Sequence, residues 1–561
     1  MIIGNPPYNA WQANYNNDNQ NRLYKDIDKR IKSTYISEGT AQNQIGVYDM
    51  YARFLRWASD RLDENGVVAF ITNRSFIDSR TFDGFRKIVA QEFNEVCIVD
   101  LGGDVRANPK LSGTTHNVFG IQTGVAISFL VKNSSQKGCK IRYLRRPEME
   151  VADEKLSFLA TSKLDDLSFQ AITPDKKNNW INLSDNDFDS LIPVMNKETK
   201  IGITKVQESA IFKIFSPGIK SQRDDWVYDF NANNLATKIK ALVTVYEATR
   251  KNENFAKKMT VKWDRELDNY RVRGIAKEFE EKNIVPSLYR PFFKQLFYYD
   301  KHFNGMTYQW AQFKATPSIQ NQFISVAANC GVKDFHLMAS EVIVDLHATG
   351  DSQCLALYRF DDNGNRTDNI TDWGLAQFVA YYGAFAKPIT KQAIFHYVYA
   401  VLHDPIYREK YALNLKREFP RVPFYADFWQ WANWGEALMQ AHIGYESATP
   451  FALTRTNAKV AKPKAKLKAD KTKGDIILDE ATTLSGIPLM AWNYKLGNRS
   501  ALEWVLDQYK ESKPKDPTIR EKFNTYKFAD YKEHVIDLLA KVCTVSVKTQ
   551  EIVEAMRSLS R

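Results

Sequence analysis

Asn5-Pro6-Pro7-Tyr8 follows the apolar run Ile2-Ile3-Gly4, and these residue types in this order suit methyl transfer to an amino nitrogen. An exocyclic adenine amine is a poor nucleophile because its lone pair is delocalised into the ring. The Asn5 side-chain oxygen and the Pro6 carbonyl can both accept hydrogen bonds from such an NH2 group, drawing it toward a pyramidal geometry with its lone pair free. Two consecutive prolines fix φ and contribute no competing N–H, so both acceptors are held rigidly. Tyr8 offers a flat face for a base taken out of the duplex stack. Pro-Pro after a strand also suits a merely stiff loop, but the tetrapeptide arises by chance in roughly one chain in several hundred at average residue usage.

Further segments stand beside it: Asn14-Tyr15-Asn16-Asn17-Asp18-Asn19, then Tyr48-Asp49-Met50-Tyr51-Ala52-Arg53-Phe54, then Gly66-Val67-Val68-Ala69-Phe70-Ile71-Thr72-Asn73, and finally Asn117-Val118-Phe119-Gly120-Ile121-Gln122-Thr123-Gly124-Val125-Ala126-Ile127. In order and spacing these look like motifs IV, V, VI and VIII of the amino-methyltransferase half of Type I single-polypeptide (type ISP) restriction-modification enzymes. More loosely, they resemble the Type IIG enzymes. The resemblance implies adenine-N6 methylation of double-stranded DNA with S-adenosylmethionine, by direct displacement and without a catalytic cysteine. By the same resemblance Asn5, Pro6, Pro7 and Tyr8 carry the chemistry, Asn5 closes one side of the cofactor pocket, and Phe119 contacts the other face of the flipped adenine. Without the family, Phe119 reads more readily as core.

The S-adenosylmethionine loop of such enzymes is a Gly-x-Gly turn whose missing side chains admit the cofactor. No Gly-x-Gly occurs in this chain. Val99-Asp100-Leu101-Gly102-Gly103-Asp104 has adjacent glycines and falls where the family ends its sixth strand, so it reads as a strand terminus. Family members carry their cofactor-binding strands before Asn-Pro-Pro-Tyr. The expectation is therefore a C-terminal piece of a longer enzyme, with an upstream polypeptide carrying the cofactor half, the nuclease and the helicase. No Gly-Lys dipeptide is present to build a Walker A loop, and Glu280-Glu281-Lys282 is an ordinary charged triplet.

Length and composition fit a multi-domain globular protein: 561 residues, 44% apolar, with 77 Lys and Arg against 66 Asp and Glu. The net charge of +11 favours a polyanionic partner, although an ordinary basic protein has the same balance. Cys97, Cys139, Cys330, Cys354 and Cys543 show no Cys-x-x-Cys spacing and no disulfide framework, and the histidines show no metal spacing. No apolar run is long enough to span a membrane, so the cytoplasm is the default location.

Apolar periodicity predicts strands at 1–4, 66–72, 95–101, 117–131 and 139–145, with helices at 46–63 and 80–93. This α/β pattern is half of a doubly wound, Rossmann-like methyltransferase sheet, the cofactor half missing, and it predicts an open apolar edge at the first strand. The domain reading is a catalytic half over 1–150, a mixed α+β target-recognition region over 151–460, a basic linker or loop over 461–474, and a largely helical C-terminal part over 475–561. The linker reading rests on seven lysines between Lys459 and Lys473.

Four stretches of the later region resemble the type ISP specificity portion: 218–228, 289–300, 396–405 and 492–504. Within them Arg223, Arg290, Lys495 and Arg499 are candidates for DNA contact, because guanidinium groups fork onto guanine edges or phosphates. Internal ion pairs and packing corners account equally well for each arginine. The aromatic run from Phe424 to Trp434 reads as a helix-packing core rather than a base-stacking surface. Two other functions remain open: a non-catalytic DNA-binding specificity module, and methylation of a protein glutamine or an RNA base.

Overall fold

The computed structural model describes residues 1–8, 24–41, 44–105, 111, 113–181, 186–201, 208–252, 261, 263–313, 319–327, 334–383, 387–559 and 561. The Asn14–Asn19 stretch and Cys330 lie outside them. It is a mixed α/β chain with several sheets, divided into two compact units, Met1–Asp185 and Asn186–Arg561.

The first unit is built on one six-stranded sheet in the order β1-β2-β4-β3-β5-β6. Its strands are β1 Ile2–Gly4, β2 Gly66–Asn73, β3 Glu95–Gly102, β4 Val125–Lys132, β5 Lys140–Arg145 and β6 Gln170–Ile172. β1 runs parallel to β2 and β3 parallel to β5, while β4 lies antiparallel between β2 and β3. β3 is buried from Val96 through Gly102, as expected of a strand covered on both faces. Two helices supply the apolar cover: α1 (Met50–Arg61) buries Tyr51, Ala52, Leu55 and Ala58 at helical spacing, and α2 (Asp83–Glu92) buries Phe85, Ile88 and Val89. β1 is the edge strand, and Ile3 on it is 70% exposed.

The register brings distant residues to one end of this sheet. Gly4 pairs with Phe70, Asn73 with Val125, and Gly102 with Val125. The segments following β1, β2 and β3, and the segment preceding β4, therefore emerge together at the carboxyl ends of the parallel strands, where open α/β sheets place their ligands.

Three sequence expectations change. The strand expected from 117 begins only at Val125, because the Asn117 side chain binds the backbone of residues 119–123 and holds them as a loop. The first unit extends past 150 to Asp185, because β6 adds to the sheet beside β5 and Trp180 packs into the same core. The basic segment is not a linker: Ala465–Asp470 is an edge strand paired antiparallel with Asp475–Asp479. Its alternation buries Leu467 while the neighbouring lysines face water, a period-two pattern that their density obscured. Lysines on an edge strand also block edge-to-edge pairing.

In the second unit, one sheet joins Ile343–Val344, Ile284–Arg290, Phe293–Tyr298 and Tyr228–Asp229, and another joins Leu337–Ser340, Phe323–Ala327, Ser352–Ala356 and Ser216–Pro217. The 31-residue helix Phe528–Ser558 buries Val535, Leu538, Leu539, Val542 and Val545. Strands Asp475–Asp479 and Thr482–Ser485 precede the helices that dominate the C-terminal part. Helices Lys391–Val401 and Phe428–Ile443 cross at Gly435, where any Cβ would sit 1.8 Å from the His396 carbonyl oxygen. Tyr425, Phe428 and Trp431 are buried beside this crossing, as core rather than as a stacking surface.

Candidate active site

Asn5 leaves the end of β1 exposed, Pro6 is buried, Pro7 is exposed and Tyr8 is half-buried. The Tyr8 hydroxyl lies 3.3 Å from Asn5 Oδ1 and 3.4 Å from the Ile71 carbonyl oxygen at the end of β2. Both contacts sit at the long end of hydrogen-bond geometry, so they orient the Asn5 amide weakly and leave its oxygen able to accept another donor. Edge-on packing against Tyr51, with centroids 6.4 Å apart, sets the plane of the Tyr8 ring. Burial and the nearby Asp49 carboxylate push the Tyr8 phenol up to about 12, which keeps it neutral over the working pH range.

Phe119 sits in the loop before β4 and is 44% exposed. A buried asparagine builds this loop. Asn117 Oδ1 accepts from the Phe119 N–H at 2.9 Å and the Ile121 N–H at 3.4 Å, while its Nδ2 donates to the Thr123 carbonyl at 2.7 Å. With the backbone satisfied from inside, the phenyl ring is held outward at the same end of the sheet as Asn5.

A buried ion pair lies beneath that end. Arg74 donates from Nε and Nη2 to Asp100 at 2.9 to 3.0 Å and pairs with Asp78 at 2.8 Å. Asp100 also accepts from the Tyr143 hydroxyl at 2.7 Å and the Gly102 N–H at 2.9 Å. Burial opposes the Arg74 charge, but Asp100 and Asp78 outweigh it and raise its pKa. The Arg74 N–H donates to the Gly124 carbonyl at 3.0 Å, and a Cβ on Gly124 would lie 2.4 Å from Arg74 Cδ. Arg74 thus clamps the C-terminal end of the loop that presents Phe119. Sequence reasoning missed Arg74, Asp100 and Asn117 as a group, although Asp100 stands two residues before the glycine pair at the strand terminus.

The four recognition candidates separate. Arg223 is buried, donating to the Phe303 carbonyl at 2.5 Å and pairing with Asp264 at 2.9 Å, an internal ion pair. Arg290 pairs with the buried Asp345 at 2.7 Å and lies over the Tyr289 ring. Arg499 is exposed but pairs with Asp507 and lies over Trp504. Lys495 is exposed. Cys97, Cys139, Cys354 and Cys543 are free thiols, and no metal-ligating cluster occurs among the described residues. No described helix is long and apolar enough to cross a membrane.

Residues 210–538 match the Type ISP C-terminal specificity domain, more than half of the chain. The chain belongs to the Type ISP restriction-modification family. Its first 106 residues match the Eco57I restriction-modification methylase family, so the unit holding Asn5 to Tyr8 is methylase-like. Among solved structures, the cryoEM DrdV–DNA complex is 45% identical with a TM-score of 0.89, covering 100% of this Type ISP chain and 57% of that one. A nuclease-deletion mutant of the Type ISP enzyme LlaGI, in complex with a DNA substrate mimic, is 29% identical with a TM-score of 0.81, covering 99% and 52%. The ATP-dependent Type ISP enzyme LlaBIII, bound to DNA, is 27% identical with a TM-score of 0.85, covering 99% and 37%. The chain therefore spans about a third to three fifths of the length of these relatives. No curated protein matches it.

Proposed function

We propose that the chain forms the target-adenine wall and the sequence-recognition region of an adenine-N6 DNA methyltransferase within a Type ISP restriction-modification system. The observation that carries this is the placement of Asn5-Pro6-Pro7-Tyr8 at the carboxyl end of β1, with the Phe119 loop at the same end of the sheet. Asn5 Oδ1 and the Pro6 carbonyl accept hydrogen bonds from the two N–H groups of an extruded adenine's amine, drawing its nitrogen toward a pyramidal geometry. Tyr8 and Phe119 hold the base from its two faces. The protein contributes position and hydrogen-bond acceptors, and no covalent enzyme intermediate is formed. The first unit, Met1–Asp185, carries this catalytic half and the later region recognises the target, with double-stranded DNA as partner, in keeping with the DNA complexes of its structural relatives.

S-adenosylmethionine is the methyl donor that the methylase match implies. The residues present do not by themselves fit it: the sequence has no Gly-x-Gly turn, and β1 is an unpaired edge with Ile3 in solvent. Asn5 supplies one wall, and a cofactor-binding half beside β1 supplies the rest. That missing cradle is also what favours a second reading, a DNA-binding specificity module without catalysis.

The test joins the chain to the cofactor-binding half of a Type ISP relative and follows labelled methyl groups into duplex DNA, RNA and protein. N6-methyladenine in DNA that disappears with Asn5→Ala is the expected product. Label in RNA or in protein glutamine, or DNA label that survives Asn5→Ala, overturns the proposal.

A further inference from the structure

In the second unit, a cleft of about 860 Å³ opens between the 219–226 turn and the 512–517 loop. The acids on its wall are engaged within the protein. Asp224 accepts from the Ser221 hydroxyl and, at 2.9 Å, from the Tyr289 hydroxyl. Asp225 accepts from the Asp516 N–H at 3.3 Å, and Asp516 accepts from Trp226 Nε1 at 2.7 Å. The cations differ. Lys220, Lys513 and Lys515 line the cleft without a carboxylate partner among the described residues, and the last two are exposed. The three ammonium groups have no ion pair among the described residues, and the exposed Lys513 and Lys515 can meet the phosphates of a polyanion.

The turn itself is rigid and strained. Lys220 and Met306 exchange backbone hydrogen bonds at 3.0 Å in both directions, and the Gly305 N–H donates to the Ser221 carbonyl at 3.2 Å. Arg223 anchors it from behind through Phe303 and Asp264. Between these fixed points Gln222 adopts φ +66°, a left-handed conformation that a side chain other than Gly or Asn rarely takes. Strained backbone of this kind concentrates at functional sites. The Gln222 side chain lines the cleft, and its amide has no hydrogen-bond partner among the described residues.

We propose that this cleft is a duplex-DNA contact site in which Gln222 reads a base edge while Lys220, Lys513 and Lys515 neutralise the phosphate backbone. It deepens the proposed function and rests on it. A glutamine amide pairs in bidentate fashion with N6 and N7 of adenine in the major groove, and lysine ammonium groups position the duplex without reading it. Arg223, the more conspicuous residue in sequence, serves as the anchor, and the neighbouring glutamine serves as the reader.

The experiment selects bound duplexes from a randomised library with the full chain and with three variants: Gln222→Ala, Gln222→Gly, which suits the left-handed backbone, and Lys513→Ala/Lys515→Ala. The glutamine variants are expected to lose preference at one base pair by about 10-fold or more, with affinity for other duplexes unchanged. The double lysine variant is expected to weaken binding to all sequences alike and to flatten the slope of log K against log salt by about two. All three side chains lie at the surface or the cleft wall, so melting temperatures near that of the parent chain establish that the variants fold. An unchanged selected sequence together with an unchanged salt slope removes the cleft from DNA recognition and leaves the proposed function standing. A parent chain that binds every duplex equally overturns both.

Discussion

Arg74 in the first unit and Arg223 in the second are both buried guanidinium groups paired with a carboxylate, and what differs is the residue each frames, an aromatic ring in one unit and an amide in the other. Arg74, through Asp100 and the Gly124 carbonyl, holds the loop that presents Phe119. Arg223, through Asp264 and the Phe303 carbonyl, holds the turn that presents Gln222. In each unit the charged residue is the frame and an uncharged neighbour faces outward. The lesson concerns cost: burying a charge is expensive, so its donors are spent on internal partners, whereas an exposed ring or amide is available.

The largest effects should come from breaking the frames. Arg74→Ala leaves the buried Asp100 without its partner and should cost about 3–5 kcal/mol of stability, and Arg223→Ala, which strands the half-buried Asp264, should cost less. Denaturant unfolding monitored for each unit checks this, with Arg74→Ala acting on the first and Arg223→Ala on the second. Next comes the chemistry itself. Asn5→Ala should lower methyl transfer by about 100- to 1,000-fold, as removal of one polarising group typically does, with duplex affinity and melting temperature unchanged because Asn5 is exposed. Phe119→Ala removes a stacking surface and should weaken retention of the extruded base by about 1–3 kcal/mol, again with no loss of stability, measured by affinity for duplexes carrying a mismatch at the target.

The smallest effect concerns Tyr8. Its hydroxyl contacts are long, so Tyr8→Phe should change the transfer rate by less than about 1 kcal/mol in barrier. Because burial and Asp49 raise its pKa to about 12, the neutral phenol is retained in the folded state. Its contribution is present in full below pH 10 and is lost only as pH rises toward 12, so the transfer rate should show no Tyr8 inflection between pH 7 and 10. A large loss in Tyr8→Phe would mean that the hydroxyl, rather than the ring, takes part.

Much of the first unit was legible because one cause dominated each segment. Apolar runs mark β2 and β3, and the chemistry of an amine dictates four contiguous residues after β1. The Phe119 loop was misread as strand because Val118, Phe119 and Ile121 continue the apolar pattern, and only the Asn117 side chain diverts the backbone. The Arg74–Asp100 pair depends on the register of β4 with both of its neighbours, which no local window contains. Recognition was least legible. The cleft brings together segments whose contacting residues, Trp226 and Asp516, stand 290 positions apart, and an arginine in sequence looks the same whether it faces a phosphate or Asp264.

The central claim is that Tyr8 and Phe119 receive an adenine removed from the duplex. Its most direct test replaces, one at a time, each adenine of the duplex selected by the chain with 2-aminopurine and records fluorescence on binding. A rise at a single position that is lost with Phe119→Ala, while duplex affinity is largely kept, is the predicted result. Selective binding with no rise at any adenine would contradict the account and leave the chain as a DNA-recognition module alone.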